Sequence, residues 1–116
     1  METAQLSLKL IYRGNLFMVN RNRPVLQMGR DDGNDIVVAS LFASRIHARV
    51  QARGAQFVLT DLSSNGTFVL ADEQSDELHL RRQDAVLAGR GWIGLGKNAT
   101  THGEHSVRFT VQSESA

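Results

Sequence analysis

The chain has 116 residues, 41% hydrophobic and 22% charged, and its thirteen basic and twelve acidic residues leave a formal charge of +1. That length supports one core, the composition excludes a disordered or fibrous chain, and the near-neutral balance excludes the broad positive field of a general nucleic-acid or membrane binder. With no cysteine in the chain, disulfide frameworks and thiolate metal sites are excluded too, and a reducing compartment, the cytoplasm, is expected.

The opening METAQLSLKL lacks the basic flank, long apolar run and small-residue cleavage site of a secretion signal, and no later run approaches membrane-spanning length. The glycosylation patterns at Asn65 and Asn98 therefore read as accidental. Short apolar, β-branched and aromatic segments recur between turn signals: LSLKLIY, LFMV, PVLQM, DIVV, IHARVQA, QFVLTD, TFVL, ELHL, AVL, WIGL and SVRFTV. This rhythm predicts an all-β sandwich or barrel of about ten or eleven mostly antiparallel strands. Ile46, Ala48, Val50 and Ala52 alternate with His47, Arg49, Gln51 and Arg53, which predicts a strand turning the first set to the core. Gly54 and the Asn65-Gly66 pair predict hairpin turns joining three successive strands over roughly 46–52, 56–61 and 67–70. LHLRRQDAVLAG is the one stretch with competing helical spacing, and the polar QSESA at the end predicts a domain over 1–112 with a frayed tail at 113–116.

Three segments concentrate hydrogen-bond donors where strands begin or end: Gly29-Arg30, Ala43-Ser44-Arg45-Ile46-His47, and Ser63-Ser64-Asn65-Gly66. Loops at one end of a sandwich cluster in space, so the three can converge. Arg30 and Arg45 offer planar forks that match phosphate oxygens in pairs, Ser44 and Ser64 offer hydroxyls, and Asn65 carries both a donor and an acceptor for an extended peptide. Such a set suits a dianion.

In its order GR, SRIHA, DLSSNGTFV, from Gly29 to Val69, the chain resembles the forkhead-associated domain. That resemblance implies a two-sheet β-sandwich and non-catalytic, phosphorylation-dependent recognition of phosphothreonine peptides in signalling. It implies Arg30, Ser44, Arg45 and Ser64 as phosphate contacts, Asn65 as the holder of the peptide backbone, and Gly29, His47 and Gly66 as loop supports. GRDDGNDIVV also resembles bacterial modules of this family, some attached to nucleotide cyclases. The partner implied is a phosphothreonine-containing protein or peptide, with no nucleic acid, membrane, cofactor or metal; the module is expected to be monomeric and compatible with membership of a larger protein. After Val69 the pattern departs: LADEQSDELHL replaces the usual short turn, and Gly-Arg-Gly at 89–91 replaces the usual Gly-Asp.

Other readings of the same residues stand beside these. Arg30 can balance Asp31, Asp32 and Asp35 on a solvated loop, Arg45 can be a surface charge, and Ser44 and Ser64 can bond their own backbone. Leu41 and Phe42 fit an exposed lip that reads a ligand side chain, while Phe42 fits a core plug equally well. Ser44, His47 and Asp61 contain the types of a hydrolytic triad, but Ser44 and His47, three apart in an extended segment, fall on opposite faces. GRGWIG and GWIGLGKN approach nucleotide-loop patterns without the helix those need. His102, Glu104 and His105 are metal-ligand types without an ordered third partner, and Arg81-Arg82 with Arg21 and Arg23 make no continuous nucleic-acid stripe. The competing class is a phosphorylation-independent interaction or self-association module, using its sheet faces or the loop from Ala71 to Leu80, or serving as the regulatory domain of a larger enzyme.

Overall fold

The computed structural model describes residues 5–99 and 103–114. The strands β1 (Gln5–Tyr12), β2 (Asn15–Val19), β7 (Thr67–Ala71), β8 (Leu78–Leu80), β10 (Arg90–Leu95) and β11 (Val107–Glu114) form one sheet, ordered β2-β1-β11-β10-β7-β8. The second sheet, ordered β4-β3-β5-β6-β9, contains β3 (Val25–Gly29), β4 (Ile36–Val37), β5 (Ala48–Arg53), β6 (Gln56–Asp61) and β9 (Asp84–Leu87). Among these pairings only β3 and β4 run parallel, through Met28 opposite Ile36 and Gly29 opposite Val37. The fold is thus the expected two-sheet sandwich.

Period-two alternation explains which side of each sheet turns inward. Leu8, Leu10 and Tyr12 of β1, Val107 and Phe109 of β11, and Ile93 and Leu95 of β10 are buried against Leu26, Met28, Val50, Phe57 and Leu59 of the other sheet, forming one core. LHLRRQDAVLAG contains no helix; it holds β8, a turn and β9. β11 continues through Gln112 and Ser113 to Glu114, paired with the start of β1, so strand pairing carries past the point where polarity alone suggests a frayed tail.

Two local expectations are corrected. Gly54 does join β5 to β6 as a hairpin, with Arg53 opposite Gln56, but Asn65-Gly66 does not make one. β6 lies in the five-stranded sheet and β7 in the six-stranded sheet, so residues 62–66 cross between layers. The alternation also begins later than Ile46: β5 starts at Ala48, Ile46 is 47% exposed, and His47 is fully buried. The cause is a loop before β5, whose His47 N–H bonds the Met28 carbonyl at 2.9 Å and whose His47 carbonyl accepts from Leu62 N–H at 2.8 Å.

Candidate functional site

The three donor-rich segments meet at one pole. Arg30 N–H donates to the Ser44 carbonyl at 2.9 Å, and Asp31 N–H donates to the Arg45 carbonyl at 3.1 Å, which zips the β3–β4 loop to the β4–β5 connection. Ser64 N–H donates to Ser44 Oγ at 3.1 Å, bringing in the β6–β7 crossing. Because Ser44 Oγ already accepts this bond, its own O–H is left as a donor directed away from it. Arg30 Nε donates to the Ala43 carbonyl at 3.1 Å, which fixes the stem and leaves both terminal nitrogens as a fork. Asn65 Nδ2 donates to the Phe42 carbonyl at 3.3 Å, so its side-chain oxygen remains an acceptor at the same rim.

Glycine is demanded at two points. A Cβ on Gly29 would lie 2.3 Å from the Arg45 carbonyl oxygen, so the β3–β4 loop can approach residue 45 only without a side chain. Gly66 has φ +92°, and a Cβ there would meet His79 Nε2 at 2.2 Å. Both conditions select glycine.

Beneath the rim His47 ties all of this together. Its Nδ1 accepts from Ser44 N–H at 2.9 Å, which makes Nε2 the protonated nitrogen of the neutral ring, and Nε2 lies 2.9 Å from the Gly66 carbonyl. Burial holds this imidazole below its usual pKa, against the opposing influences of the Gly66 carbonyl and the Asp61 charge. With both ring nitrogens engaged by backbone groups, His47 has no nitrogen free to take a proton from Ser44. Ser44 meets His47 only through its backbone N–H, while its hydroxyl faces Ser64 N–H, so the triad types are wired as a scaffold.

Asp61 explains the remaining hydroxyls. Its Oδ1 accepts from Ser63 N–H (3.2 Å), Ser63 Oγ (2.6 Å) and Thr67 Oγ1 (2.7 Å), and its Oδ2 accepts from Arg82 N–H at 2.8 Å. Burial alone would raise its pKa, but the bonds from Arg82, Ser63 and Thr67 together outweigh that and hold the carboxyl below its ordinary value. Ser63 Oγ also accepts from Gly66 N–H at 2.7 Å. Of the crowded alcohols around Asn65-Gly66, two therefore serve a buried carboxylate, and Ser64 alone is exposed.

Arg30 and Arg45 are exposed, and among the described residues neither is paired with a carboxylate; Asp35 instead bonds Arg23. Leu41 is 91% exposed and Phe42 47% exposed, outside the core cluster, which corrects the plug reading of Phe42. Two supports escaped sequence reading. Buried Asn34 donates through Nδ2 to the carbonyls of Asp31 (2.8 Å) and Arg45 (2.7 Å), clamping two loops. His79 stacks on Phe68, with centroids 4.0 Å apart, and lies 3.3 Å from the Asn65 carbonyl. Asn34 sits among Asp and Gly residues that look like ordinary loop, so nothing local marks it. Of the metal-ligand types, His102 lies outside the described residues; Glu104 pairs with Arg13, and His105 bonds the Tyr12 hydroxyl at 2.9 Å.

The family model for the FHA domain matches residues 26–89, more than half of the chain. The chain belongs to the FHA domain family. No curated protein matches this FHA domain in sequence. Its fold is similar to the FHA-1 domain of Mycobacterium tuberculosis Rv1747, with 21% identity, a TM-score of 0.68, and coverage of 93% of this chain and 98% of that one. It is also similar to Mycobacterium tuberculosis EmbR in complex with a low-affinity phosphopeptide, at 27% identity and TM-score 0.64, where the match covers 99% of this chain but 26% of EmbR. The MEK1 FHA domain, solved with a phosphothreonine peptide of HOP1, aligns over 93% of this chain and 97% of its own length at 17% identity and TM-score 0.65.

Proposed function

We propose that this FHA domain is a non-catalytic module that captures phosphothreonine-bearing segments of other proteins at the rim formed by the three joined loops. The observation that carries this reading is the Ser64 N–H to Ser44 Oγ bond beside the Ala43-anchored Arg30, at a rim where two guanidinium groups and two hydroxyls have no anionic partner among the described residues. EmbR, matched over 26% of its length, and the MEK1 FHA domain are each seen with phosphopeptides. Arg30 supplies a bidentate fork to the phosphate, Arg45 a second cation, and Ser44 and Ser64 donate hydrogen bonds, while Asn65 holds the peptide main chain. The near-neutral domain acts as a monomeric cytoplasmic reader, alone or within a larger signalling protein, with no need of nucleic acid or membrane.

Each charge-assisted bond is worth about 1.5 to 3 kcal/mol, so Arg30→Ala should weaken a phosphothreonine peptide at least tenfold. Arg30→Lys should recover only part of that, since the fork is lost. The test is titration of an oriented phosphothreonine library, with unphosphorylated controls, against wild type and both variants by fluorescence anisotropy. Equal binding of phosphorylated and plain peptides would overturn the proposal in favour of phosphorylation-independent association. One buried methyl contributes about 0.8 kcal/mol, so a preference for phosphothreonine over phosphoserine beyond about fourfold requires the rim to select side-chain geometry as well.

A further inference from the structure

A fourth segment reaches the rim. GWIGLGKN, residues 91–98, is not a nucleotide loop: β10 runs through Leu95, and the chain then turns at Gly96 toward Lys97. Gly96 N–H donates to the Gly66 carbonyl at 2.9 Å, the same oxygen that His47 holds. A Cβ on Gly96 would stand 2.0 Å from the Phe42 carbonyl oxygen, so this turn is pressed against the residue to which Asn65 Nδ2 is bonded. On the other side the Glu77 carboxylate grips the turn through Asn98 Nδ2 and, at 2.8 Å, Ala99 N–H. Lys97 is therefore carried by a turn braced from both sides, and its ammonium lies 4.9 Å from the centre of the half-exposed Phe42 ring. Among the described residues it has no ion-pair partner.

Resting on the phosphothreonine reading above, the geometry points to Lys97 as a specificity residue that selects an aspartate or glutamate in the bound peptide. A peptide held by Asn65 runs directly beside Phe42 and Lys97, because Asn65 and Phe42 are in hydrogen-bond contact. A phosphate dianion engages Arg30 and Arg45, which leaves the ammonium over Phe42 as a separate positive charge along the peptide's path. The ring holds that ammonium through a cation–π contact while leaving its N–H groups available to a carboxylate. Lys97 thus deepens the site by adding an acidic requirement to the phosphate requirement.

The test is a set of phosphothreonine peptides carrying Asp, Ala or Lys at each flanking position in turn, titrated against wild type, Lys97→Met, Lys97→Arg and Lys97→Glu. Wild type should prefer Asp over Ala at one position by about two- to fivefold, the range of a partly exposed ion pair. Lys97→Met should erase that preference, so that Asp and Ala peptides bind alike, Lys97→Arg should keep it, and Lys97→Glu should shift it toward Lys. A wild type indifferent to acidic residues would overturn the inference, as would a Lys97→Met variant that loses all phosphopeptides equally, because that would mark Lys97 as a phosphate contact. Phosphopeptides that fail to bind any variant, wild type included, would overturn the underlying reading together with this one.

Discussion

Asp61 and His47, 4.0 Å apart and fully enclosed, set how the rim responds to acid and to substitution. The folded imidazole is depressed by burial, so the unfolded chain binds a proton first: the stability tied to His47 is complete above about pH 6.5 and is lost as pH falls toward the folded value. The Asp61 carboxyl is also depressed, so its contribution is present above about pH 3.9 and disappears only as pH falls through its lower folded value. Melting temperatures of the free domain should therefore decline from about pH 6.5 downward, and His47→Gln should flatten that decline between about pH 6.5 and 5. An unchanged slope in His47→Gln would assign the decline elsewhere. Asp61→Asn can keep an oxygen for the three donors at Oδ1 only by setting its NH2 against Arg82 N–H, and with the lost charge this should cost about 3 kcal/mol, visible as a drop of more than about 8 °C in Tm. Peptide affinity should fall separately below about pH 6, where the phosphate gains its second proton. The residues proposed to touch the ligand were legible in the sequence because donor types at strand ends announce themselves. Ser63 and Thr67 were not, since a hydroxyl in a turn gives no sign that it serves a carboxylate beneath it.

At the scale of elements, the rim depends on a β3–β4 loop that lies against the β4–β5 connection more closely than any side chain permits. Gly29→Ala places a Cβ 2.3 Å from a backbone oxygen, not from a movable side chain, so the Arg45 backbone must shift. Overpacking of this kind costs about 1 to 3 kcal/mol. The larger effect should be on binding, because the displaced segment carries Ser44 and Arg45; peptide affinity should fall more than tenfold in a variant still folded by circular dichroism. Retained affinity would show that the two loops need not touch. The strands themselves were readable from their alternation, but their partners were not. An Asn-Gly pair between VLTD and TFVL has every local mark of a hairpin, yet Asp61 at the end of β6 draws Ser63, Thr67 and Arg82 inward and the chain crosses to the opposite sheet. Likewise Ile46 reads as the first inward residue of a strand, although the backbone there is committed to delivering His47 to the interior.

Across the whole molecule, a formal charge of +1 hides a gathering of cations at one end. Composition could exclude a global positive field, but the local one depends on sheet order, which places β3, β5 and β6 side by side and so stacks their loops at a single pole. This separates two ways of attracting an anionic peptide. Arg45 stands at the rim before β5, while Arg53 ends the same strand, its guanidinium bonded to Gln51; at about 3.3 Å per residue the strand carries it some 16 Å away, beyond the Debye length of about 8 Å at physiological salt. Arg45→Glu and Arg53→Glu change the net charge identically, from +1 to −1. If attraction were global, both would weaken phosphopeptide binding alike. Local capture predicts instead that Arg45→Glu loses at least tenfold in affinity while Arg53→Glu stays within twofold at about 0.15 M salt, and that lowering the salt to about 0.01 M, where the Debye length reaches about 30 Å, brings out a measurable loss in Arg53→Glu as well. Parallel anisotropy titrations of the two variants at both ionic strengths check this, and equal losses at physiological salt would mean that the pole is not where the phosphate sits.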